Sequence, residues 1–238
     1  DGAAWVNAGV QIESAAATNS DPTSNTFTQA GNATLTADQA VSPSGEMDGV
    51  LYDENTSSGS NAAYFSSVPM TTVATTTYTC SVYVKAVAGS NILALGHRST
   101  SSSNQFISWF DISAGTFLST NTPTGTMAYV TSAIENVGNG WYRVSTTGTD
   151  STQSNHNPIL FLVPADGSTT RETDAMCYLW GSQFEAGSVP SSYIPTAGST
   201  ATRAAETLTI PAANLPYSAT AMSIHMSGRM TYADENNS

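Results

Sequence analysis

The chain has 238 residues, a formal net charge of −12 at pH 7 and only 10% charged residues, against roughly 25% in an ordinary soluble domain. One lysine (Lys85) and five arginines leave no basic footprint of the kind that displaces counterions from nucleic acid, which argues against nucleic-acid binding. Ten Tyr, seven Phe and four Trp are too many large core pieces for a disordered chain, and no stretch approaches the ~20 apolar residues of a membrane span. Ser and Thr together number 67.

Taken in chain order, the signals are those of strands. Over 77–85, Tyr78, Cys80, Val82 and Val84 share one face, and Thr79, Ser81, Tyr83 and Lys85 the other, which is the period of a half-buried strand. The segment 91–98 alternates less cleanly through Leu93 and Leu95, and 105–112 runs into a turn-like 113–116. Further strands are expected at 127–134 and 141–146, parted by a turn at 137–140. The run 159–163 is continuously apolar between Pro158 and Pro164, as in a core strand, and 176–184 is the last strong one. The Ser/Thr-rich tracts at 97–103 and 145–154 read as loops. Helical periodicity is absent, so strands arriving every 10–20 residues give an all-β, antiparallel β-sandwich or jelly roll. Its core should hold Tyr78, Cys80, Val82, Val84, Val144, Leu160, Leu162 and Leu179.

Two cysteines do not make a disulfide framework. Cys80 and Cys177 lie in apolar strands and are expected as buried thiols, a single bridge between neighbouring strands being the alternative. No basic and apolar leader opens the chain, which starts at Asp1 and stops at Ser238 as a fragment of something longer would.

Catalytic chemistry is hard to find. His97, His156 and His225 have no partner at metal-ligand spacing, and neither a nucleophile elbow nor a phosphate-cradling glycine loop occurs. The carboxylates to follow are Asp53, Glu54, Asp111 and Asp150. Solvated loop charge is one reading; the other is a structural Ca²⁺ held by Asp53 and Glu54, because hard cations take oxygen ligands. No cofactor is otherwise implied.

Trp141 and Trp180 fall in strands beside core residues and are expected to pack there. Trp109 lies on the face opposite Phe106, Ser108 and Phe110, and Tyr83 is likewise out of phase with its strand's apolar face. Rings on an open sheet face suit sugars, which match a flat apolar surface with polar edges. The candidate glycan site is therefore Tyr83 and Trp109 with Arg98 and Gln105 as polar partners; an interface is the other reading of the same rings.

The segments Asn136-Val-Gly-Asn-Gly-Trp-Tyr-Arg-Val-Ser145, Tyr178-Leu-Trp-Gly-Ser-Gln-Phe-Glu-Ala-Gly187 and Pro190-Ser-Ser-Tyr-Ile-Pro-Thr196, continuing to Ala205, resemble the carbohydrate-binding-module-like jelly rolls of bacteriophage tail and other virion structural proteins. The strand at 78–86, the stretch at 111–116 and Asp1-Gly-Ala-Ala-Trp5 are similar as well, although Phe is commoner than Cys at position 80. The short strand that usually precedes the last motif is missing, so a truncated or processed N-terminus is expected. The resemblance covers roughly residues 1–205.

That resemblance implies a non-enzymatic virion structural or adsorption module (tail fibre, spike or capsid decoration) on an extracellular particle. Its partners would be host-surface glycan or polysaccharide and other virion subunits, in a homo-oligomer without membrane insertion. A carbohydrate-binding module of a secreted polysaccharide-degrading enzyme is the alternative. The family carries no catalytic motif, and its Trp-Gly-x-Gln element, here Trp180 to Gln183, is structural. Residues 206–238 then read as a linker and the first strand of a second, laminin-G-like β element, where Met222, Ile224 and Met226 alternate with polar residues.

Overall fold

Alternation sets the elements of the computed structural model, which describes residues 13–31, 33–54, 61–89, 91–100 and 103–207. They form β1 (Ala17–Asn19), β2 (Thr28–Ala30), β3 (Thr34–Val41), β4 (Met47–Glu54), β5 (Ala62–Tyr64), β6 (Met70–Thr71), β7 (Thr77–Ala88) and β8 (Ile92–Arg98). Then follow β9 (Gln105–Asp111), β10 (Thr116–Thr120), β11 (Met127–Gly138), β12 (Trp141–Asp150), β13 (Asn155–His156), β14 (Ile159–Val163), β15 (Ala175–Ala186) and β16 (Ala201–Arg203). No helix occurs among the described residues.

The chain divides into two compact units. Ala17–Arg203 is an antiparallel β-sandwich of the jelly-roll kind. Its front sheet runs β10-β9-β8-β14-β5-β2 and its back sheet β11-β12-β7-β15-β4-β3, with β1–β16 and β6–β13 as small two-stranded pairs. The other unit groups Asp1–Ala16 with Ala204–Ser238; there the Glu206 N–H donates to the Glu13 carbonyl at 2.8 Å, and the Glu206 carboxylate accepts the Glu13 N–H at 3.1 Å. The second β element expected over 206–238 lies, from residue 208 on, outside the described residues, as does the Asp1 to Trp5 motif.

Between the sheets sits one apolar core that contains all eight residues expected there: Tyr78, Cys80, Val82, Val84, Val144, Leu160, Leu162 and Leu179. Cys80 and Cys177 are buried and unbridged. Burial raises both thiol pKa values above the usual range, so neither is an active nucleophile.

The tract from 145 to 150, expected as loop, is the second half of β12. Its hydroxyls belong in a sheet because they pair across strands: Thr147 with Thr79 at 2.8 Å and Thr149 with Thr77 at 3.0 Å. On the inner face, Thr146 bonds Ser132 of β11 at 2.9 Å and Ser108 of the front sheet at 3.0 Å, so buried polar groups tie the two layers together.

Candidate functional site

The outer face of the front sheet follows from the continuous apolar run of β14. Leu160 and Leu162 point into the core, which turns Ile159, Phe161 and Val163 to the other side. Strand register then aligns Tyr64, Ile159, Gly96 and Ile107 in one row across β5, β14, β8 and β9. Gly96 has a packing reason: a Cβ there would stand 2.8 Å from Cγ2 of Ile159. One pair further toward the strand ends, Arg98 faces Gln105. The Arg98 guanidinium lies 5.8 Å from the Tyr64 ring centroid. Tyr64, Arg98 and Gln105 are half-buried around a floor of buried Ile107 and Ile159. The result is an apolar shelf with hydrogen-bonding groups on its rim.

The adjacent row, Phe161, Ala94 and Trp109, is covered. The connection from β14 to β15 folds back over it, so that the Ser168 carbonyl accepts the Trp109 indole N–H at 2.8 Å. Arg171 stacks on the Phe161 ring at 3.3 Å and is held by the carbonyls of Asn61 and Thr169. Trp109 does point outward, as its phase requires, but it is 2% exposed and offers no open ring.

Tyr83 needs the same correction. It lies on the outer face of the back sheet, yet it is 9% exposed. Trp180 packs edge-on at 5.1 Å, Tyr193 at 6.2 Å, and Arg143 lies over the ring at 5.2 Å. Trp141 and Trp180 are buried as expected, but in this outer cluster rather than between the sheets. The strap after β15 seals the face. Gln183 accepts the Ile194 N–H at 2.8 Å and donates to Glu185 at 2.6 Å, while Glu185 accepts both the N–H and the hydroxyl of Ser191. Gly181 sits at φ +61°, where a Cβ would meet Tyr83 at 3.0 Å and Tyr193 at 3.2 Å. The Trp-Gly-x-Gln element is thus the anchor of the strap.

The four expected site residues therefore do not converge. Arg98, Gln105 and Trp109 share the front sheet, and Tyr83 lies on the far side of the sandwich. Tyr64, Ile107, Ile159, Phe161 and Arg171 were not singled out from sequence. The signal for them was available: a strand apolar at every position, such as β14, must be covered or used on both faces.

The carboxylates serve the fold. Asp53 and Glu54 are successive residues of β4 and so point to opposite faces. Glu54 is buried, where its carboxylate accepts the Tyr52 hydroxyl at 2.5 Å and the Leu162 N–H at 3.1 Å, and burial raises its pKa. Among the described residues no three His, Cys, Asp or Glu side chains gather as a metal site. Asp111 caps the 113–116 turn through the N–H groups of Ser113 and Ala114, both at 2.9 Å.

Ser154, His156 and Asp150 meet without forming a nucleophile relay. Ser154 Oγ and Asp150 Oδ2 both approach the same ring nitrogen, His156 Nε2, at 2.8 and 3.3 Å, whereas a working triad uses opposite nitrogens. His156 Nδ1 is buried without a hydrogen-bond partner among the described residues. Burial also holds His97, whose ring packs 5.3 Å from that of His156, down at about 3.

No family model matches the chain, and no curated protein does. Among solved structures, the chain is similar to the CBM22-1–GH10 modules of Clostridium thermocellum endo-1,4-β-D-xylanase 10B complexed with xylohexaose. Identity there is 16% and the TM-score 0.42, over 74% of this chain and 28% of that one. It is also similar to the CBM22-1 xylan-binding domain of Paenibacillus barcinonensis Xyn10C, at 15% identity and a TM-score of 0.37, over 73% of this chain and 94% of that one.

Proposed function

We propose that this chain is a non-enzymatic glycan-binding module and that the Tyr64–Arg98–Gln105 shelf is its binding face. The observation that carries the reading is the contrast between the two outer faces. The 187–196 strap covers the aromatic centre of the back sheet at Tyr83 and Trp180, while the front sheet keeps an apolar floor with a half-buried Tyr64 ring and polar side chains at its rim. A sugar ring presents the complementary surface, an apolar face with hydroxyls at the edge. A non-enzymatic role is supported by the carboxylates Glu54, Asp111, Asp150 and Glu185, each spent on internal hydrogen bonds.

The setting we propose is the surface of a bacteriophage particle, where a homo-oligomer of the chain packs against other virion subunits and meets host-surface glycans. The sequence motifs at 136–145, 178–187 and 190–205 support that setting. A glycan array on the purified chain, with a native mass measurement, tests both parts. Retained oligosaccharides and a multiple of the monomer mass are expected. An array without any retained glycan overturns the binding reading, and a monomer overturns the oligomeric one.

A further inference from the structure

Cations are scarce in this chain, with six Lys and Arg against eighteen Asp and Glu. Two of the six share the front face: Arg98 on β8, and Arg171, whose guanidinium stacks on Phe161 of the neighbouring β14. Among the described residues neither forms an ion pair within 4 Å, although the Glu54 carboxylate is near enough to act on Arg171 through its charge. Arg171 is fixed by two carbonyls. Arg98 is not: its contact is the Tyr64 ring, and its Nε is buried without a hydrogen-bond partner among the described residues.

Burial is the main cause that lowers the Arg171 pKa; the Glu54 carboxylate opposes it, and the Arg98 charge adds a smaller lowering. Arg171 has Glu54 near it; Arg98, with only the Tyr64 ring against it and no ion pair among the described residues, is the place for an external anion on an otherwise acidic molecule. A guanidinium offers a planar fork of donors that matches a carboxylate or sulfate, with the ring beneath free to meet the sugar.

We infer that the front-face shelf takes an acidic glycan, one whose sugar carries a carboxylate or sulfate, and that Arg98 binds the anionic group beside Arg171. This rests on the glycan reading above. A neutral polysaccharide would leave the Arg98 charge at the rim of the shelf without a counter-charge.

The test is titration of the full chain with matched pairs: uronate oligosaccharides against their methyl esters, and sulfated oligosaccharides against their unsulfated forms. The acidic member of a pair is expected to bind about tenfold or more tightly, as a charge-assisted hydrogen bond implies, and to weaken as salt is raised. Which pair responds identifies carboxylate or sulfate. Arg98→Gln should abolish the preference, and Arg98→Lys should keep part of it. Equal binding of acidic and neutral members overturns this inference and leaves the glycan reading standing. Failure of every member to bind overturns both.

Discussion

The carbonyl oxygen of Ser168 accepts the indole N–H of Trp109 at 2.8 Å. That bond closes a loop over the ring whose strand phase points it at solvent, and it separates a half of the front face covered by the loop from a half where Tyr64, Arg98 and Gln105 stay partly exposed. Position in a strand decides which way a side chain points; a distant loop decides whether it is reached.

Trp109→Ala should therefore act on stability. Truncating a buried Trp removes its contacts with the Ala94 and Phe161 row and leaves the Ser168 carbonyl without its donor. A loss of about 3–5 kcal/mol is expected, read as a lower urea midpoint with unchanged slope. A midpoint close to that of the unaltered chain would mean that the loop does not cover the ring in solution.

Tyr64→Ala should behave in the opposite way. Its ring is half-buried on the open shelf, so removal should cost about 1 kcal/mol of binding, roughly fivefold in affinity, with a smaller effect on folding. Calorimetric titration with a glycan retained on the array measures the first and thermal melting the second.

Gln183→Leu should loosen the strap on the back sheet. It leaves the buried Ile194 N–H without an acceptor and deprives Glu185 of a donor. An unsatisfied buried donor costs about 1–3 kcal/mol, and amide hydrogen exchange at 191–196 should accelerate more than in β7. Uniform acceleration throughout would point to global destabilisation instead.

Acid should weaken the fold through His97. Burial holds its pKa at about 3, below the unfolded value of 6.5, so between those values the unfolded chain binds the extra proton and stability falls as pH falls. Asp21, raised by burial to about 6, works in the opposite sense: its folded carboxyl prefers to be protonated, and stability falls as pH rises from 3.8 through 6. The Asp21 effect cancels in a comparison with His97→Phe. That variant should gain stability relative to the unaltered chain on going from pH 7 to pH 4; a difference independent of pH would show His97 to be accessible to protons in the folded state.

The sandwich was legible where one physical pattern had one meaning. Cys80, Val82 and Val84 alternate with polar neighbours, and the register of β7 follows. It was illegible where composition misleads: Thr147 and Thr149 look like loop residues until their hydroxyls are matched with Thr79 and Thr77 on the next strand. The site was half legible. Arg98 and Gln105 do stand opposite each other on an outer face, but the covers over Trp109 and Tyr83 come from 164–174 and 187–196, segments without periodicity. Tyr64 belongs to the three-residue β5, too short to display a period of two.

The central claim is that glycan binds the Tyr64–Arg98–Gln105 half of the front face, and amide chemical-shift mapping with an array-selected glycan tests it most directly. Perturbations should cluster at Tyr64, Gly96, Arg98, Gln105, Ile107 and Ile159, the residues that register brings to that shelf. A cluster at Tyr83, Arg143 and Trp180 under the strap, with the front-sheet shelf silent, would contradict it.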